Sequence, residues 1–332
     1  MIGPCPASRR DVIKFVGGGL AWPISARAQS SARIPTIGVL WHAGSADQEE
    51  PYFGALRRGL EELGYVDGRS VHMLHRFPNE KDELFRSMAA ELVASNPDVL
   101  VGAAGGASFL KAATSTIPIV FMLVVDALEI KLVDSLSRPG GNLTGPSLST
   151  FALVQKRFQL LRDIIPNISK VGLLISANEP GTPFAEKVVR DITRSMGLVL
   201  GLYEVRRPED LEPLFREMVG AQIEGLVLSG SGLLYQQREV IFRLAIANRL
   251  PTVSWSKETL VSGALISYGA DLVELVRHAA PYIDKILRGA KPSELPVEEP
   301  TSYNYGVNLK TAKLIGIDLP QSVYARADEL IE

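Results

Sequence analysis

Four histidines, a single cysteine and a run of glycines are the residues of this chain that first invite a chemical reading. His42, His72, His75 and His278 share no metal-ligand spacing with one another or with carboxylates, and no metal is expected. His72 and His75 fall on opposite faces of one strand. There is no G-x-S-x-G elbow, and no nucleophile, base and orienting group form a recognisable set. Gly102-Ala103-Ala104-Gly105-Gly106 follows an apolar run and opens a helix, but it is neither G-x-G-x-x-G nor a P-loop. It supplies instead backbone N–H groups at a helix start, which favour an anionic group such as a carboxylate. These features suggest binding without catalysis and without a cofactor.

Open α/β sheets bind ligands beyond the carboxyl ends of their strands, so the loops there define the candidate site. After the first strand come Trp41, His42 and Ser45, with Gly44 and Asp47 between and beside them. Gly105, Gly106 and Ser108 follow the third strand, and Asp126 the fourth. In the second half the corresponding loops carry Asn178 (with Glu179 and Thr182), Ser229 and Ser231 (with Tyr235), Trp255 and Glu258, and Tyr268. Small hydroxyls, acids and aromatics suit a polar or zwitterionic small molecule with an aromatic or apolar part. Ser108 and the Gly105 and Gly106 amides are candidates for a carboxylate. Trp41 or Trp255 could stack on a ring, and Asp126 or Glu258 could meet a cationic amine. The plainer alternative for Ser108, Asp126 and Asn178 is a helix cap or a turn.

The elements that would hold these loops alternate. Short apolar runs (36–41, 70–75, 99–103, 119–125) are separated by segments of helical period (52–63, 84–94, 108–114, 128–137). After Gly145 the alternation restarts, with a helix over 151–165 and strands at 170–176, 199–205, 225–229, 252–254 and 264–267. Helices lie near 183–196, 208–219, 234–248 and 272–287. The strands are apolar throughout rather than alternating, as expected of parallel sheets buried on both faces. Two successive sets of about five units predict an α/β fold of two Rossmann-like lobes with parallel sheets. A proline-rich stretch, 292–300, is expected to cross between them.

The 332 residues are 46% hydrophobic and 22% charged, a balance that argues against disorder. A formal charge of −2, with Lys and Arg scattered, gives no case for nucleic acid. The first 28 residues read as a signal peptide. Arg9-Arg10 lead a short, glycine-rich apolar stretch that ends in Ala26-Arg27-Ala28, with cleavage expected after Ala28. The arginine pair points to the twin-arginine route. Cleavage removes four of the 35 basic and one of the 37 acidic residues, so the formal charge moves from −2 to −5. It also removes Cys5, the only thiol. No stretch is long enough to span a membrane. The expectation is a periplasmic, monomeric protein.

Several segments resemble one family. Arg138-Pro-Gly-Gly-Asn-Leu-Thr-Gly145, Ile266-Ser-Tyr-Gly-Ala-Asp271, the stretch from Ile286 to Thr301, the stretch from Asn308 to Pro320 and the closing residues all resemble the ABC transporter substrate-binding proteins whose characterised members bind tryptophan or tyrosine. The resemblance runs from about Ile34 to Glu332. It implies a type I periplasmic-binding-protein fold with three interlobe crossovers, near 147–150, 269–271 and 297–301. The N-terminal lobe is then 34–147 plus 271–297, and the C-terminal lobe with the interlobe tail 148–270 plus 298–332. Delivery to an ABC permease and its ATPase is also implied. Asp126-Ala127 departs from the family's usual Asp-Pro, and Trp255 stands where a smaller aromatic is common. A binding protein feeding a sensor or chemoreceptor is the nearer alternative, and an α/β enzyme the more remote one. A DNA-binding regulator of related fold would need a basic headpiece where the leader stands.

Overall fold

The computed structural model describes residue 3 and residues 33–148, 150–177 and 182–332. The expected signal peptide lies outside the described residues, as does Asn178. From Ile34 to Glu332 the chain forms one compact unit.

Its first sheet has β1 (Thr36–Leu40), β2 (His72–Arg76), β3 (Val99–Ala103), β4 (Ile119–Met122) and, after the pair member β5 (Val124–Val125), β6 (Leu143–Thr144). The order is β2-β1-β3-β4-β6 and every pairing is parallel. The chain then reaches β7 (Ser147–Leu148), which pairs with β5. The second sheet takes β8 (Lys170–Ser176), β9 (Val199–Val205), β10 (Gly225–Leu228), β11 (Thr252–Ser254), β12 (Ile266–Gly269), β13 (Asn304–Asn308) and β14 (Glu329–Ile331). Its order is β14-β13-β12-β11-β10-β8-β9. Its first five strands repeat the order of the first sheet, so each has a switch point between its first and third strands (β1/β3 and β8/β10). Crevices open beside such points at the carboxyl ends of the strands. The continuous burial of Val99–Ala103 and Gly225–Leu228 explains why these strands are apolar throughout.

The chain passes between the sheets three times. It leaves the first after β6 and enters the helix Thr150–Ile164, which packs on β11 and β12. It returns after β12, where the helix Leu272–Arg277 packs on the helix Tyr52–Glu62. It leaves again after Val297, whose N–H donates to Leu136 O, and joins β13.

Five sequence expectations change. The segment 128–137 is not a helix: it runs as successive turns, with Lys131 at φ +58° and Leu132 N–H donating to Ala127 O. Its apolar residues Leu132 and Val133 are buried by packing, which imitates a helical period. The strand 119–125 is split by Leu123, at φ +57°. The second sheet is not purely parallel, because β13 runs antiparallel to β12. The stretch expected as one helix over 272–287 is two, Leu272–Arg277 and Ala279–Leu287, and so is that expected near 234–248, which divides at Gln237 into Gly232–Gln236 and Arg238–Ala247.

Gly145 shows what the first crossover demands. It sits at φ +148°, and a Cβ there would lie 2.1 Å from Phe121 O. Gly145→Ala should lower unfolding stability by about 2 kcal/mol or more. An unchanged denaturation midpoint would show that the crossover tolerates a side chain.

Candidate ligand-binding site

A cavity of about 100 Å³ lies where the carboxyl ends of the two sheets face each other. The first sheet contributes His42, Ala104, Gly105, Ser108, Leu123, Val124 and Val125, with Tyr52 from the following helix. The second contributes Ser229, Gly230, Ser231, Gly232, Tyr235 and Trp255. The cavity continues between the helices Thr150–Ile164 and Thr182–Ser195, past Val154, Arg157, Leu173, Ile175, Thr182, Ala185 and Val189. Along the same seam lies a wider groove of about 860 Å³, and Gly105 and Ser108 border both spaces.

Backbone geometry shapes the rim. Ala104, Leu123 and Asp126 have φ of +48°, +57° and +43°. Left-handed conformations are uncommon outside glycine and gather where a site over-determines the chain. The glycines divide by task. A Cβ on Gly102 would meet Ala107 Cα at 2.6 Å, and one on Gly106 would meet Leu40 O at 3.0 Å, so both let the helix Gly106–Ala113 sit close to the strands. Gly105 has open space beside it and faces the cavity.

His42 is buried between two carboxylates, its Nε2 3.3 Å from Glu49 Oε2 and its Nδ1 3.1 Å from Glu80 Oε1. Glu49 is itself buried, and its Oε1 accepts the backbone N–H groups of His42 and Ala43 at 2.8 and 2.6 Å. That carboxylate fixes the loop after β1. The second lobe meets it closely: a Cβ on Gly232 would lie 1.9 Å from Glu80 Oε1 and 2.9 Å from His42 Nδ1. Beside this contact the Tyr52 and Tyr235 rings touch at 5.4 Å between centroids. Arg238 covers Tyr235 at 4.4 Å. Burial, then the Glu258 charge, pushes the Tyr52 phenol well up. The lobes are therefore closed on one another.

The other sequence candidates are placed as follows. Trp255 is buried against Gly230 and lines the cavity. Ser231 lines it while its Oγ accepts Leu234 N–H as a helix cap. Glu258 stands beside the tyrosine pair, and burial pushes its carboxyl up. Six described candidates do not line the cavity: Gly106, packed against Leu40, Glu258, behind the tyrosine pair, and four more. Trp41 points the other way from His42 on its strand: it stacks with Phe77 at 6.4 Å, and its Nε1 donates to His75 Nδ1 at 3.0 Å. Tyr268 packs on Tyr303 and Tyr305. Ser45 accepts the Gln48 N–H in a turn. The Asp126 N–H binds Leu148 O at the first crossover.

Sequence reasoning missed Tyr52, Glu49, Glu80 and Arg157. Arg157 could have been found. It stands three residues after Val154 and four before Leu161, in phase with the buried stripe of its helix, and is 1% exposed.

Residues 45–331 match the family described as "ABC transporter substrate binding protein". The chain belongs to this family. It is 23% identical over 291 residues to the tyrosine-binding protein of Clostridioides difficile (strain R20291), a match that covers 85% of this chain and 83% of that one. Its fold is shared by a conserved domain protein of Vibrio cholerae (TM-score 0.83, 24% identity, covering 90% of this chain and all of that one). An ABC domain from Streptococcus pneumonia in complex with L-Trp is equally similar (TM-score 0.82, 24% identity, 90% and 99% covered). Like them, this substrate-binding protein has two α/β lobes. Among its described residues no helix is long and apolar enough to cross a membrane. Nor do any three or more His, Cys, Asp or Glu among them stand where they could hold a metal.

Two outcomes test the site geometry. A Cβ on Gly269 would lie 1.8 Å from the Trp255 carbonyl oxygen, so Gly269→Ala should displace Trp255 and change the near-ultraviolet dichroism. An unaltered spectrum would contradict that packing. Because burial raises the Glu258 carboxyl, the folded chain holds that proton more tightly than the unfolded one. The associated stability is full at acid pH and is lost as pH rises through the raised folded value. Glu258→Gln should therefore melt higher than the parent at about pH 8, with the gain vanishing near about pH 4.

Proposed function

We propose that this substrate-binding protein is exported to the periplasm, captures an aromatic amino acid or aromatic acid between its lobes, and delivers it as a monomer to an ABC permease and its ATPase. The observation that carries the reading is the cavity at the facing strand ends, walled by Tyr52, Tyr235 and Trp255 and by loops of both lobes. Aromatic walls offer stacked or edge-on contacts to a flat ring. The tyrosine and tryptophan in the names of two relatives support the same class.

In this reading the lobes, 34–147 plus 271–297 and 148–270 plus 298–332, open at the three crossovers and close on the solute. Trp255 stacks on its ring. Ser108, the Gly105 N–H, Ser229 and Ser231 meet its polar edge, and Glu258, behind Tyr52 and Tyr235, lends negative charge toward an amine. Closure is favoured because a ligand that touches both lobes binds the closed state more tightly than the open one. His42 positions the first loop through Glu49 rather than reacting with anything. The signal peptide and its twin-arginine route belong to this proposal, as does the absence of turnover.

Isothermal titration of the mature chain with L-tyrosine, L-tryptophan and their deaminated acids should give at least one stoichiometric complex of about micromolar affinity, which corresponds to about −8 kcal/mol. Trp255→Ala should weaken that complex by about 30-fold. Failure of every aromatic solute to bind, with a sugar or aliphatic amino acid binding instead, would reject the reading.

A further inference from the structure

The proposed function leaves one buried charge without a task. Arg157 lies on the helix Thr150–Ile164 and is 1% exposed, yet it lines the cavity. Its Nε donates to Tyr268 O at 2.9 Å, while one terminal nitrogen, Nη1, has no hydrogen-bond partner among the described residues. No Asp or Glu among the described residues forms an ion pair with it. Burial lowers the guanidinium to about 10, so it remains charged at neutral pH. The surroundings are apolar: Val154, Leu173, Ile175, Ala185 and Val189. An ionised group taken out of water without a partner is strongly unfavourable, and a fold bears that cost where a counter-charge arrives from outside.

We infer that Arg157 is the anion anchor of the site, and that the solute enters with a carboxylate directed between the helices Thr150–Ile164 and Thr182–Ser195. This rests on the small-molecule reading above and narrows it: the acid is obligatory and the amine is not. A planar guanidinium presents paired N–H donors that match the two oxygens of a carboxylate. In the dry end of the cavity that pair is screened little by salt. Ser108 and the Gly105 N–H, at the wet end beside the open groove, are left for the solute's other polar atoms.

The test is a titration of the mature protein with three probes: L-tyrosine, its deaminated acid, and tyramine, which keeps the ring and amine but lacks the carboxylate. The parent protein should bind the acid and the amino acid, and should bind tyramine about 100-fold more weakly. Arg157→Met should weaken the acid by about 100-fold and leave tyramine unchanged. It should also raise the melting temperature of the ligand-free protein, because removing the buried charge outweighs losing the single Nε–Tyr268 O hydrogen bond. Arg157→Lys, which keeps the charge but not the fork, should fall between. A merely structural arginine gives the opposite sign, with a lower melting temperature and little change in relative probe affinity. That result would overturn the inference, as would tyramine binding as tightly as the acid, and in either case the aromatic-solute reading would stand. If none of the three probes binds while a non-aromatic carboxylate does and depends on Arg157, the aromatic reading falls and the anion anchor remains.

Discussion

Everything in this molecule follows from the geometry of parallel strands. Strands that run the same way deliver all their outgoing loops to one edge, and helices bury both faces. What remains for a solute is that edge. Here two such edges face each other, so His42, Gly105 and Ser108 come from one sheet and Ser229, Gly232 and Trp255 from the other. Neither half has a complete pocket alone. The repeated strand order places β1 and β3 opposite β8 and β10, which makes the cavity a property of the pairing.

The first loop illustrates how little of a site touches ligand directly. Glu49 is wholly buried and binds two backbone N–H groups, and its other oxygen faces His42. Its work is to hold a turn that carries no regular structure of its own. Gly102 and Gly106 act similarly, by admitting a helix close to the strands. Two apparent chemical signals in the sequence, His42 and the glycines Gly102 and Gly106, thus shape loops around a cavity walled largely by aromatic and apolar side chains, while Gly105 faces it.

Much of the architecture was legible from sequence because burial on both faces leaves an unmistakable run of apolar residues. Val99–Ala103, Lys170–Ser176 and Val199–Val205 were read to the residue. The segment 128–137 was not, since buried turns can carry leucine and valine at helical intervals. For the site, loop membership could be read but facing could not: Trp41 and His42 are adjacent, and only the pleat decides that one enters the aromatic cluster with Phe53, His75 and Phe77 while the other faces the cleft. Tyr52 was hidden because it begins a helix whose next residue, Phe53, carries the expected apolar stripe. Arg157 was hidden because amphipathic helices are scanned for apolar residues in phase, and a lone cation among them is passed over.

One bond described above links two places that are far apart along the chain. Arg157 Nε holds the carbonyl of Tyr268, the residue just before Gly269, where the backbone quits the second sheet for the first. The same guanidinium therefore borders the cavity and holds the strand end that leads into a connecting segment. A carboxylate that drew this side chain forward, as inferred above, would also load that strand end, and filling the cavity would then be felt in the connection between the halves.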